Sequence, residues 1–231
     1  MNHLQIINHL IETYDFKSYL EIGVYDGENY NGVRCDEKEC CDPCVCDVKV
    51  NCDVTYKTTS DEMFEDMPED KKYDIIFIDG MHDESFVDKD IMNSLKHLNK
   101  DGLICLHDTF PPSKESTEKF DTYSDDRGTW CGDVFKSILK LNQTDLNYFT
   151  VNNGDYGLSI IEYSDNPNAD LRELTTDYEY EDVFSSPSTT TELGNDLLHE
   201  ISVEEFRRIF KNWGDSWKMV FETVSEDKDN R

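Results

Sequence analysis

YDIIFIDGMHDESFVDKDIMNSLKHLNKDGLICLHDTF, residues 73 to 110, decides the fold. Ile75 to Ile78 and Leu103 to Leu106 are unbroken apolar runs, the pattern of parallel strands covered on both faces. Between them Phe86, Ile91, Leu95 and Leu98 recur at roughly helical spacing, and Asp101-Gly102 supplies a stop. The unit is βαβ. A right-handed crossover makes its strands parallel, so both carboxyl ends open on the edge where open α/β sheets bind ligands. Asp79-Gly80-Met81-His82 and His107-Asp108 then face one crevice. Asp83, Glu84, Asp88 and Lys89 read as a solvated helix face, and Asp90 as a carboxylate that orients a histidine.

Working outward, Leu4, Ile7, Leu10 and Ile11 share a helical face near the amino terminus. Tyr19-Leu20-Glu21-Ile22-Gly23-Val24-Tyr25-Asp26-Gly27 is a strand entering a turn with glycines four apart, where a ligand can approach the backbone. The dinucleotide pattern G-x-G-x-x-G is absent. Asp26 and Glu28 also oppose a pyrophosphate at the following helix amino terminus, so a cationic ligand is better tolerated there.

With 231 residues the chain can bury one substantial core. Its 51 acidic against 22 basic residues give a formal charge of −29, which repels polyanions. Nucleic acid and anionic membrane are excluded as expected partners. Apolar spans long enough for a bilayer are absent, and the first residues lack the basic and apolar regions of a signal peptide. A soluble, cytoplasmic protein is expected.

Glu21, Gly23 and Gly27, as E-x-G-x-x-x-G after a first strand, resemble motif I of class I S-adenosylmethionine-dependent methyltransferases. IDGMH with Asp90, followed by LxxDGLICLHDTFPP, resembles a subgroup with I-D-G-x-H and strand-terminal H-D motifs, many of whose members accompany sugar or polysaccharide genes. The resemblance spans about residues 17 to 162. It implies a doubly wound three-layer α/β sandwich, with a mostly parallel seven-stranded sheet ending in an antiparallel hairpin. It also implies S-adenosylmethionine as cofactor, held by Glu21, Gly23, Gly27, Asp42, Ser60, Asp61 and Asp79. Asp42, in C-D-P, would take the ribose hydroxyls; Asp36 competes for that role, and Asp42-Pro43 also reads as a turn. Ser60 or Asp61 would cap a helix, with Asp61 or a neighbouring backbone group meeting the adenine amine.

The acceptor side carries His82, His107 and Asp108. Methyl transfer to oxygen needs an aligned hydroxyl and somewhere for its proton to go, and a histidine suits that. A divalent ion, Mg²⁺ or Mn²⁺, on Asp79, His107 and Asp108 is the second route, by lowering the hydroxyl pKa. Relatives often carry two acidic residues where this chain has His107-Asp108, and Mg²⁺ prefers an all-oxygen shell. The polar stretch after Phe110 reads as a substrate-side lid, in which Arg127 and Trp130 would contact a small-molecule or glycan acceptor. Six of eight cysteines fall in residues 34 to 53, with Cys41-x-x-Cys44 as the one C-x-x-C pair; free thiols near a second strand are expected over a metal site.

Residues 1–163 make the catalytic domain. Within it Asn147 to Asn152 and Gly157 to Tyr163 form a hairpin. Residues 164–200 read as an acidic linker or surface wrap, 201–224 as an amphipathic helix opened by a Ser202/Glu205 capping box, and 225–231 as a disordered tail. The helix, with Phe206, Ile209, Phe210 and Trp213 on one face, docks on its own domain or on a second copy in a homo-oligomer. An O-methyltransferase is the favoured function. The alternatives are another α/β nucleotide-cofactor enzyme, such as an oxidoreductase, and a non-catalytic zinc- or protein-binding module.

Overall fold

A computed structural model describes residues 1–45, 48–120, 122, 129–165, 167–186 and 189–211. In chain order the elements are α1 (His3–Tyr14), β1 (Ser18–Ile22), α2 (Glu28–Gly32), β2 (Glu37–Cys41), α3 (Ser60–Asp66), β3 (Tyr73–Ile78), α4 (Glu84–Lys96) and β4 (Leu98–His107). They continue with α5 (Val134–Leu141), β5 (Tyr148–Asn152), β6 (Leu158–Glu162), α6 (Tyr180–Val183), β7 (Phe184–Ser186), β8 (Thr189–Thr190), α7 (Glu192–Leu198), β9 (Glu200–Ser202) and α8 (Val203–Lys211).

Seven strands form one sheet in the order β2-β1-β3-β4-β6-β5-β9, and β7 pairs with β8 in a small antiparallel sheet. β2, β1, β3 and β4 are mutually parallel, while β6 runs antiparallel to both β4 and β5. The expected mostly parallel sheet with its antiparallel hairpin is therefore present. One strand lies beyond the hairpin: β9 pairs in parallel with β5. Three residues of it left no readable hydrophobic period in an acidic segment.

The alternation of each strand between two faces divides the core. Ile76, Ile78, Ile104 and Leu106 pack with Met63 of α3, Ile91 and Leu95 of α4 and Ile138 of α5. Ile75, Phe77, Leu103 and Cys105 pack instead with Ile6, Ile7 and Leu10 of α1 and with Phe206 and Phe210 of α8. Each such side chain withdrawn from water contributes about 2 kcal/mol, so both helical layers are held mainly by burial. Ser202 and Glu205 exchange the reciprocal hydrogen bonds of a capping box at the start of α8. Trp213, the rest of the helix expected to residue 224 and the tail 225–231 lie outside the described residues. Among the described residues, no helix is long and apolar enough to cross a membrane.

Three local readings need correction. Phe86 is 42% exposed, because α4 turns its Val87-Ile91-Leu95 stripe inward. Asp88 is buried rather than solvated, with Lys140 Nζ 2.6 Å from its Oδ2 and 2.5 Å from Glu84 Oε1, so this charge trio clamps α5 to α4. Helix α4 ends at Lys96, before Asp101-Gly102, which lies inside β4 where the β3 register shifts.

β1 and β3 end side by side because Gly23 permits it. Gly23 has φ +86°, and a Cβ there would stand 2.1 Å from the Asp79 carbonyl oxygen. Gly23→Ala should lose on the order of 3 kcal/mol of stability, as strain and a backbone clash combine. Gly154→Ala, with φ +71° but open space around it, should lose only about 1 kcal/mol. Urea unfolding midpoints of the two variants measure the difference.

Candidate active site

The carboxyl ends of β1, β2, β3 and β4 supply the site. After β1 the chain turns through Gly23, Tyr25 and Gly27, all at positive φ. Asp42, one residue past β2, closes this turn: its Oδ2 accepts from the amides of Val24 at 2.9 Å and Tyr25 at 3.3 Å. Its Oδ1 accepts from Cys44 N at 2.6 Å, so Asp42 both shapes the turn and stands beside it. Gly27 packs on Cys52, whose Sγ would lie 3.1 Å from an added Cβ. Glu21 points into the interior, where it is 1% exposed and bonded to the Tyr19 hydroxyl and to Asn29 Nδ2 at 2.8 Å.

Helix α3 is capped by Thr59, not by Ser60 or Asp61, because the Thr59 hydroxyl and the Glu62 carboxylate complete a capping box. Ser60 is freed to meet Asp90, and Asp61 pairs with Lys89 at 2.8 Å. Asp90 thus serves α3 rather than a histidine. Buried at 3% exposure, it has its pKa pushed up to about 7 by desolvation.

Asp79, His82, His107 and Asp108 converge as the two strand ends predict. His82 Nε2 lies 3.2 Å from Asp108 Oδ2 and 3.4 Å from Asp79 Oδ1. His107 Nδ1 lies 3.3 Å from Asp79 Oδ1 and 3.7 Å from Asp108 Oδ1. The remaining ring nitrogens face backbone carbonyls, His82 Nδ1 at Trp130 O (3.0 Å) and His107 Nε2 at Asp155 O (2.9 Å). A carbonyl only accepts, so those nitrogens carry protons and donate, which leaves His82 Nε2 and His107 Nδ1 turned to the carboxylates.

Burial opposes charge on both rings, but the carboxylates outweigh it. Asp108 and Asp79 raise His82 to about 9, and Asp79 with Asp108 raises His107 to about 10. Asp79 is held far below the usual carboxylate range, because His107 and His82 overcome its burial. Asp108, more deeply enclosed, is pushed up by desolvation despite the same imidazoles. It also sits at φ +57°, a strained conformation for a residue with a side chain.

Trp130 lies over His82 at 4.9 Å between ring centroids, and Phe120 lies 5.2 Å from Trp130. Gly132, at φ +58°, allows this segment to close on the His82 carbonyl; a Cβ there would lie 1.6 Å from that oxygen. Tyr156, edge-on to His107, shares a 2.9 Å hydrogen bond with Thr129. Arg127 lies outside the described residues. The sequence reading missed His3 and Asp155: His3 Nδ1 lies 2.6 Å from Asp155 Oδ2, and its ring meets His107 edge-on at 4.4 Å. A histidine on an amphipathic helix and an aspartate in a hairpin turn gave no signal that they would meet.

The cluster could hold a divalent ion. Asp79, His82 and Asp108 offer ligand atoms all within 4.8 Å of one another, and His107 Nδ1 stands at their margin. Asp108 Oδ1 is buried without a conventional hydrogen-bond partner among the described residues, and the Cys131 thiol and His107 lie near the carboxylate. The mixed nitrogen and oxygen donors suit Mn²⁺ or a similar transition ion better than Mg²⁺. Relative to the expected set of Asp79, His107 and Asp108, His82 takes the closer place. The described cysteines are free thiols and belong to none of the metal-competent groups.

A family model described as a methyltransferase domain matches residues 48–109, from the loop after β2 to the end of the His107-Asp108 cluster. A search of curated proteins gives no significant match. Among solved structures, a candidate caffeoyl-CoA O-methyltransferase from Staphylococcus aureus is 20% identical (70% of this chain and 82% of that chain covered, TM-score 0.46). An O-methyltransferase from Bacillus cereus in complex with SAH is 14% identical (71% and 82%, TM-score 0.45). The SAH-bound methyltransferase PaMTH1 of Podospora anserina is 16% identical (71% and 80%, TM-score 0.46). The chemistry rests on this chain's own residues.

Glu21 gives a pH test of the cofactor side. Burial raises its pKa from the ordinary 4.5 to about 7, so between those values the folded chain keeps a proton that the unfolded chain has lost. Stability therefore falls as pH rises through that window, by about 3 kcal/mol at most. Glu21→Gln should remove that slope. Thermal melts at pH 5 and pH 8 should show the variant gaining on the wild type only at the higher pH.

Proposed function

We propose that this chain is an S-adenosylmethionine-dependent methyltransferase that methylates a hydroxyl of a small-molecule or glycan acceptor. The observation that carries the reading is one sheet edge holding two chemistries side by side: a glycine turn lined by carboxylates, and a buried cluster of two imidazoles with two carboxylates. The methyltransferase-domain match over residues 48–109 supports it.

On the cofactor side, Gly23 lets the turn close on Asp79 and Gly27 lets it pack on Cys52, which shapes the turn that a ligand would lie against, and Asp42 beside it would take the ribose hydroxyls. The Val24 and Tyr25 amides already serve the Asp42 carboxylate. That weighs against a pyrophosphate-bearing dinucleotide and favours a sulfonium, whose positive charge suits this acidic turn. Ser60 and Asp61, at the mouth of α3, border the adenine.

On the acceptor side, Trp130, Phe120 and Tyr156 form an aromatic wall beside His82 and His107. Such a wall favours a ring, and a sugar ring can stack on it while its hydroxyl enters the cluster. His82 Nε2 and the two carboxylates then hold the hydroxyl in line with the methyl. With both imidazoles held in their charged form by the carboxylates, His82 and His107 orient the hydroxyl, and the proton it releases passes to Asp108, whose proton affinity is increased by burial. A divalent ion bound by Asp79, His82 and Asp108 would lower the hydroxyl pKa.

Titration calorimetry should show S-adenosylmethionine binding at micromolar concentration; no binding at millimolar cofactor overturns the reading. His82→Ala, His107→Ala and Asp108→Ala should keep that binding and lose turnover by roughly 100-fold or more. Unchanged turnover in all three would remove the cluster from the chemistry. Chelation followed by Mn²⁺ should abolish and restore turnover, and activity indifferent to both would take the ion out of the mechanism.

A further inference from the structure

A cavity of about 460 Å³ opens at the opposite end of the sheet, lined by Lys72, Lys96, Lys100 and Asn99 over Met92, Leu95, Leu98, Tyr163 and Pro167, with Ser164 and Asp165 at its margin. Its walls are the last turn of α4, the start of β4 and the chain leaving β6. β3 and β4 are parallel, so their starts lie across the sheet from Asp79 and His107. At ~3.3 Å per residue, the six residues of β3 put roughly 20 Å between cavity and cluster. A ligand here would compete with neither cofactor nor acceptor.

The charge is out of keeping with the chain. In a protein of net charge −29, Lys17, Lys71, Lys89, Lys114, Lys119, Lys136 and Lys140 pair with carboxylates, while Lys38 turns to backbone carbonyls. Lys72, Lys96 and Lys100 form no ion pair among the described residues. Lys72 Nζ donates to the Lys96 carbonyl and Lys96 Nζ to Asn93 Oδ1, so Lys72 in part caps the end of α4. Lys96 and Lys100 are both exposed. Among the lining residues three ammonium groups stand against one carboxylate, with Asp170 near enough to Lys96 to feel its charge; set on an apolar floor of ligand-pocket size, they match a molecule with an anionic head and an apolar body.

We propose that this cavity is a second binding site, which takes a small soluble ligand carrying a phosphate or carboxylate on an apolar body. The head meets Lys96 and Lys100, and the body lies on Met92, Leu95 and Tyr163. The overall charge disfavours an anionic bilayer surface and leaves a free molecule as the occupant.

Octyl phosphate, kept below its micelle concentration, is the probe for titration calorimetry on the full chain. Octyl glucoside supplies the body without the charge, and inorganic phosphate the charge without the body. The expected result is saturable one-to-one binding of octyl phosphate, weakened tenfold or more in a K96E/K100E variant whose circular dichroism matches the wild type. Octyl glucoside and inorganic phosphate should each bind at least tenfold more weakly. Equal binding of octyl phosphate to wild type and variant overturns the proposal, as does no binding at millimolar probe. Either control matching octyl phosphate does so as well. Should the double variant misfold, Lys100→Gln alone must still weaken the probe.

Discussion

Two carboxylates and two imidazoles enclosed at the ends of neighbouring strands are the constraint around which the rest of the molecule is arranged. A carboxylate removed from water without a partner is costly enough to take up a proton instead. Asp79 escapes that outcome because His107 and His82 face it, whereas the more enclosed Asp108 does not escape it fully. The cluster is therefore balanced by protons that it can give up. A divalent cation is the kind of visitor for which such a group could surrender protons.

Holding four polar side chains within reach of one another requires close backbone. Gly23 brings the β1 turn against Asp79, and Gly132 brings the Trp130 segment against His82. The Trp130 and Asp155 carbonyls then fix which nitrogen of each ring faces inward. Behind His107, His3 of α1 grips Asp155 of the β5–β6 hairpin, so the first residue of the first helix helps to seat a ring at the end of β4. Such outer contacts keep a reacting group in one orientation, which a flexible rim could not do.

The same economy of charge runs through the scaffold. With more than two acids for every base, cations are placed where they join elements, as Lys140 does between Glu84 and Asp88. Such a trio, with Asp88 and Lys140 buried and Glu84 half-buried, adds little net stability but fixes how α4 and α5 meet. α4 begins immediately after His82 and so carries that alignment into the site.

The βαβ unit was legible in the residues, because Ile75–Ile78 and Leu103–Leu106 are short apolar runs of strand length on either side of a helical stripe, and parallel pairing then puts the polar clusters after them on one edge. The glycine turn was legible too, since Gly23 and Gly27 directly after a strand can take the positive φ that such a turn uses. Tertiary structure alone decided what depends on approach between distant segments. Asp88 looks solvated until Lys140 arrives from 52 residues away, β9 has no period of its own and exists by pairing with β5, and Thr59 takes the helix cap that Ser60 or Asp61 could equally have filled. The seating of His82 and His107 belongs to this second kind, because backbone carbonyls carry no residue-type signal and any residue could have supplied them.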